Sequence, residues 1–199
     1  MSTNTLIHRI VRPAVRRIAP TGITPNHITT LRLLTGTAAA LAFAQGEALW
    51  LAIGGAIFIL SMLLDRADGE LARQTGRASV SGHRYDLVSD CTSNILAFIG
   101  IGVGVVPTLG LLGPLLGILA GAGIGALFWQ LNALKLVELR PYSAWDDRFN
   151  ADPDDALILV PLLVWIGAAV PTLIAAAVIT PLAALWIGFT GSRAAAHGK

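Results

Sequence analysis

Apolar stretches of membrane-crossing length recur along this chain, and no other feature restricts its fold as strongly. The hydrocarbon core of a bilayer demands roughly 17 to 25 apolar residues per helix. It also demands that each segment satisfy its own backbone hydrogen bonds, which a helix does. Six such stretches are expected, at about 28–44, 49–64, 86–106, 111–134, 155–169 and 171–189. The fifth is short, and Pro171 is expected to separate it from the sixth, because a proline interrupts a continuing helix. Ahead of them, Ile7, Ile10, Val11, Val15 and Ile18 fall on one helical side among Arg9, Arg12, Arg16 and Arg17. That pattern predicts an amphipathic helix lying on a membrane surface. The expected fold class is therefore all-α and integral to the membrane, with six transmembrane helices preceded by an N-terminal amphipathic surface helix. Residues 1–27 form a cytoplasmic juxtamembrane segment, 28–190 a single six-span domain and 191–199 a cytoplasmic tail.

Composition agrees with this class. Only 13% of residues are charged, where a soluble domain carries about 25%. A net charge of +2 is too small to argue for a nucleic-acid partner. Cys91 is the only cysteine, which excludes an intrachain disulfide. No secretory cleavage pattern is visible in the Arg-rich, proline-broken start.

The cations predict orientation. All 14 Lys and Arg residues lie before or just inside the first stretch, between the second and third, between the fourth and fifth, or after the sixth. The opposite loops, near residues 45–48, 107–110 and 169–171, carry none. The positive-inside rule then makes the charged side, with both termini, cytoplasmic.

The segment that carries chemistry runs from Asp65 to Asp90. On helices, Asp65 and Asp68 share a face, as do Asp86 and Asp90. Two neighbouring helices that each present two carboxylates make an oxygen cage. Four anions at a bilayer edge repel one another and are costly to desolvate. A divalent cation relieves both problems, and oxygen ligands without Cys or His favour Mg²⁺ or Mn²⁺ over zinc. Gly69, Ala72 and Gly82 leave room for a ligand or for backbone approach, and Arg73 can pair with phosphate oxygens. These parts describe a metal-bridged pyrophosphate site. Of the neighbouring residues, Arg77 and Arg84 read as surface contacts, His83 as an interfacial histidine, Glu70 as a solvated or salt-bridged group pointing away from Asp68, and Cys91 as a packing residue.

Asp65, Asp68, Gly69, Ala72, Arg73, Gly82, Asp86 and Asp90 occupy every fixed position of a known signature, including an eight-residue gap. On these residues the chain resembles the CDP-alcohol phosphotransferase (CDP-alcohol phosphatidyltransferase) family. Thr24-Pro25-Asn26 also looks like the family's entry to its first span. The resemblance implies that Asp65, Asp68 and Asp86 ligate two metal ions, with Asp90 completing the second site and serving as general base. It implies that Gly69, Ala72, Arg73 and Gly82 line the CDP pocket. An acceptor alcohol then attacks the donor's β-phosphorus and CMP leaves. Homodimerisation is implied as well, and so is a CDP-diacylglycerol donor, with CDP-choline or a CDP-polyol as alternatives. The bacterial look of the chain points to the inner membrane.

Acceptor choice is expected near the loop after the fourth stretch, where Lys135 and Arg140 are placed to hold an acceptor phosphate. The same loop carries Glu138, Asp146, Asp147, Asp152, Asp154 and Asp155, more acids than the resemblance implies for members that use a phosphorylated acceptor. Rival functions are an intramembrane prenyltransferase and a non-catalytic transporter or scaffold. The first usually needs two distant aspartate motifs, whereas here all four acids lie within one segment. The second calls for polar groups inside several spans, and the last three stretches are almost purely aliphatic. Gly117, Gly121 and Gly125 form a small-residue ridge suited to close helix packing.

Overall fold

The computed structural model describes residues 6–133 and 157–197, with side chains for 10–130 and 157–190. The elements are α1 (Leu6–Ile18), α2 (Pro25–Ala44), α3 (Ala48–Thr75), α4 (Val80–Gly104), the short α5 (Val106–Leu109), α6 (Leu112–Ala133), α7 (Leu159–Trp165) and α8 (Ala169–His197). Among the described residues there is no strand. Among the described residues four helices, α3, α4, α6 and α8, are long and apolar enough to cross a membrane. Large apolar side chains such as Leu60, Leu115, Ile179, Leu185 and Trp186 remain exposed on them. Water would penalise so wide an apolar surface, and lipid would not. The chain is an integral membrane protein. The first and fifth expected stretches correspond to α2 and α7, which are not among those four helices.

Each helix begins and ends for a local reason. Thr24 caps α2 in a capping box, its N–H donating to His27 Nδ1, and Pro25 takes the first helical position, where its missing N–H costs nothing. Gly76, at φ +65°, closes α3. There the N–H of Arg77 reaches the Ala72 carbonyl and that of Gly76 reaches Arg73, the pairing of a Schellman cap. Gly167 does the same after α7 at φ +82°, with Ala168 donating to Leu163 and Gly167 to Val164. The break expected at Pro171 therefore lies earlier. Pro171 sits in the first turn of α8, where a proline is tolerated because no helical partner is lost.

The packing order differs from a simple pairing of consecutive helices. α2 packs along both α3 and α4, while α3 and α4 touch each other little. α4 then packs on α6, and α6 on α8. The main core gathers Phe43, Phe58, Phe98, Ile101, Val164 and Leu173 from five of these helices. The ridge of Gly117 and Gly121 faces α4: a Cβ on Gly117 would lie 2.7 Å from the Phe98 carbonyl oxygen, and one on Gly121 2.9 Å from Ile95. This stripe is spent inside the chain. α1 lies against α3 with Val11 and Val15 buried beside Ile28 and Leu71, while Ile10, expected on the same apolar side of the helix, is exposed.

Candidate metal centre and adjoining cleft

α3 runs eleven residues past the apolar stretch expected for it, and this extension carries Asp65, Asp68, Gly69, Ala72 and Arg73 on one continuous helix. α4 starts at Val80, six residues before the expected span, because Ser79 accepts the Gly82 N–H and caps it. Gly82 is the third residue of that helix. A Cβ there would lie 2.9 Å from Ser79 Oγ and 3.2 Å from Asn26 Oδ1, so the cap itself requires a small residue.

These two helices bring Asp65, Asp68 and Asp86 together. One carboxylate oxygen from each lies within 4.8 Å of the other two. Asp68 is buried and accepts a 2.6 Å hydrogen bond from Thr29 Oγ1 of α2. Asp86 Oδ1 is buried without a hydrogen-bond partner. A carboxylate oxygen orphaned in this way, beside two further carboxylates, suits a hard divalent cation, and the all-oxygen donor set suits Mg²⁺ or Mn²⁺.

Asp90 has different company. Its Oδ1 accepts from Arg32 Nη2 and from Asn94 Nδ2, the latter at 2.8 Å. Arg32 is 3% exposed, and its Nη1 lies 3.2 Å from Asp65 Oδ1 and 3.8 Å from Asp86 Oδ1. Sequence reasoning counted Arg32 only as a charge that sets orientation and missed it as part of the cluster. The expectation that α3 and α4 pair directly also needs correction, since α2 stands against both and supplies Thr29 and Arg32 between them. The signal available was the spacing: Thr29 and Arg32 are three apart on a helix and share a face.

A cleft of about 260 Å³ opens beside the three carboxylates. Asp68 and Asp86 form one wall, and Gly69, Ala72, Arg73 and Gly82 all line it. Asn26, Thr29, Arg77 and His83 line it too, so Arg77 and His83 stand nearer the site than their sequence reading had them. Arg84 is exposed, as expected. Glu70 is salt-bridged, but it is buried rather than solvated: Arg73 donates to it at 2.9 Å, Gln74 at 2.9 Å, and Arg12 of α1 lies at 3.4 Å. Asp90 instead borders a small cavity of about 20 Å³ with Arg32, Ser61, Asp65, Arg66 and Asn94, room for one water. Lys135, Arg140 and the acidic run around them lie outside the described residues.

The family model for CDP-alcohol phosphatidyltransferase matches residues 22–146, a span that holds α2, α3, α4 and the whole cluster. The chain belongs to the CDP-alcohol phosphatidyltransferase family. Among its relatives, the archaetidylinositol phosphate synthase of Pyrococcus horikoshii is 31% identical over 102 residues, which cover 47% of this chain and 53% of that protein. The chain thus spans about half the length of the curated relative it matches. Two solved structures of the Mycobacterium tuberculosis phosphatidylinositol phosphate synthase share the fold. The one with CDP-DAG bound superposes with a TM-score of 0.66 at 20% identity, covering 93% of this chain and 91% of that one. The one in complex with manganese and citrate gives a TM-score of 0.66 at 22% identity, covering 89% and 88%.

Proposed function

We propose that this family member transfers a phosphatidyl group from CDP-diacylglycerol to the hydroxyl of a polar alcohol and releases CMP, a step of phospholipid biosynthesis. The observation that carries this reading is the convergence of Asp65, Asp68 and Asp86 within 4.8 Å, with Asp68 and Asp86 on the wall of a cleft that Gly69, Ala72, Arg73 and Gly82 also line. The family membership supports it, and so does the relative of the same fold solved with CDP-DAG bound.

In this reading Asp65, Asp68 and Asp86 hold Mg²⁺ or Mn²⁺. A second ion completed by Asp90 would have to share that carboxylate with Arg32. The bound cation supplies charge neutralisation for the pyrophosphate and its leaving group. The chain's own groups do the rest. Arg73 holds phosphate oxygens of the donor in the cleft, and Gly69 and Ala72 leave space for the nucleotide. Asp90, on the side away from the cleft, takes the proton of the acceptor hydroxyl. The acceptor oxygen bonds to the donor's β-phosphorus, the bond from that phosphorus to the bridging oxygen breaks, and CMP departs with that oxygen. Lys135 and Arg140 are proposed to hold the acceptor. The two relatives are named for inositol phosphate products, which puts inositol phosphate first on the acceptor panel.

The rest of the reading follows the charge pattern and the family. Six spans include α2 and α7, residues 28–190 form the catalytic domain, and α1 rests on the membrane surface. The cleft and both termini face the cytoplasm of a bacterial inner membrane, and the protein works as a homodimer. The test is CMP release by the purified protein in detergent with Mn²⁺ and CDP-diacylglycerol, against inositol phosphate, glycerol 3-phosphate, inositol, serine and glycerol. Release with one acceptor is expected. Silence with every acceptor, together with no binding of CDP-diacylglycerol, would contradict the reading.

A further inference from the structure

α2 contributes no residue to the aspartate signature, yet it holds every carboxylate of it. Thr29 donates to Asp68, and one turn later Arg32 reaches Asp65, Asp86 and Asp90. Its side chain is 4% exposed, and its backbone carbonyl accepts from Ser61 Oγ of α3 at 3.1 Å. A guanidinium removed from water loses its hydration and is tolerated only against close countercharge. It also stays charged at every working pH. Arg66, 3.9 Å from Asp65, is a further cation at the cluster. α3 and α4 touch each other little, and Arg32 on α2 reaches carboxylates on both.

We propose that Arg32 is a positioning residue. It keeps Asp65, Asp86 and Asp90 assembled in the metal-free protein; that a bound cation can take over part of this work rests on the metal reading above.

Thermal unfolding in detergent, with EDTA or with Mn²⁺, tests this on the native chain, Arg32→Met, Arg32→Lys and the double variant Arg32→Met with Asp90→Asn. In EDTA, Arg32→Met is expected to lower the midpoint by about 5–10 °C. Mn²⁺ should recover at least half of that loss, because a second source of positive charge replaces the first. Arg32→Lys should lose less, since it keeps the charge without the two-pronged geometry. Adding Asp90→Asn should shrink the cost of Arg32→Met. An equal loss with and without Mn²⁺, untouched by Asp90→Asn, would reduce Arg32 to packing and overturn the proposal. A native chain that gains nothing from Mn²⁺ would instead sink the metal reading, while the EDTA comparison still decides the positioning role. If Arg32→Met fails to accumulate, Arg32→Lys with and without Asp90→Asn gives the same cycle.

Discussion

Asp86 and Asp90 lie one turn apart on α4, but their carboxylates face different neighbours. Asp86 joins Asp65 and Asp68, whereas Asp90 accepts from Arg32 and Asn94. With Asp90 as the proposed base, Asp90→Asn should lower kcat by about 10²–10⁴-fold. The KM for the CDP donor should stay within about threefold, because Asp90 does not line the cleft. Steady-state kinetics check this, and turnover near the native rate would remove Asp90 from the role. Glu70 offers a second residue-scale test. It holds Arg73 with one oxygen and Gln74 with the other, so Glu70→Ala should raise the KM for the donor several-fold with a smaller effect on kcat. Isothermal titration with CDP-diacylglycerol would measure the same loss directly, and unchanged affinity would mean that Arg73 needs no such support. At this scale helical spacing made Asp65 and Asp68 legible as a pair, and the structure adds Asp86 to them while Asp90 turns to Arg32 and Asn94. The sequence did not reveal Arg32, whose partners lie 33 to 58 positions further along the chain, since only the packing of α2 between α3 and α4 brings them into reach. Glu70, read as solvated or salt-bridged, is salt-bridged, and one of its partners, Arg12, comes from α1, a separate element.

Hydrophobicity marks the thickness of a membrane, not the length of a helix, and the element boundaries show the difference. α3 continues to Thr75, well past its apolar part, because its polar extension is held by α1 and α2 and ends only at the Gly76 cap. α4 starts early because Ser79 supplies an N-cap that apolar counting does not register. Ser79→Ala should therefore cost about 1 kcal/mol. Hydrogen exchange at the first turn of α4 should rise, whereas unchanged exchange would mean that the cap contributes nothing. The glycine ridge of α6 gives a larger expectation. Gly117→Leu must push against the backbone of Phe98 and Ile99, and overpacking of that kind costs about 1–3 kcal/mol. A lower unfolding midpoint in detergent is the expected result. An unchanged midpoint would show that α4 and α6 can separate without penalty. The ridge itself was legible as a surface for close helix packing. The position of the turn before α8 was not, because a proline is as welcome in a first turn as it is disruptive in a later one.

Over the whole molecule, every Lys and Arg falls on one set of loops in the expected topology, and the aspartate cluster lies at that same end of α3. This asymmetry was readable without coordinates, since translocating cations is costly wherever they sit in the sequence. In a Cys91→Ser background, Arg16→Cys should react with an impermeant thiol reagent only from the cytoplasmic side, and Glu47→Cys only from the other. Labelling of both from one side would break the six-span arrangement. The architecture in turn explains why a carboxylate cluster is tolerated at a bilayer edge: α2 supplies Arg32 and Thr29, and a divalent cation would complete the neutralisation.

The most direct test of that account is the metal dependence of CMP release from CDP-diacylglycerol, measured on the native protein and on Asp68→Asn after treatment with EDTA. The account predicts no release in EDTA, full recovery when Mn²⁺ or Mg²⁺ is returned to the native protein, and no recovery in Asp68→Asn at any concentration of the ion. Release that persists in EDTA, or that Mn²⁺ restores equally to both proteins, would contradict it.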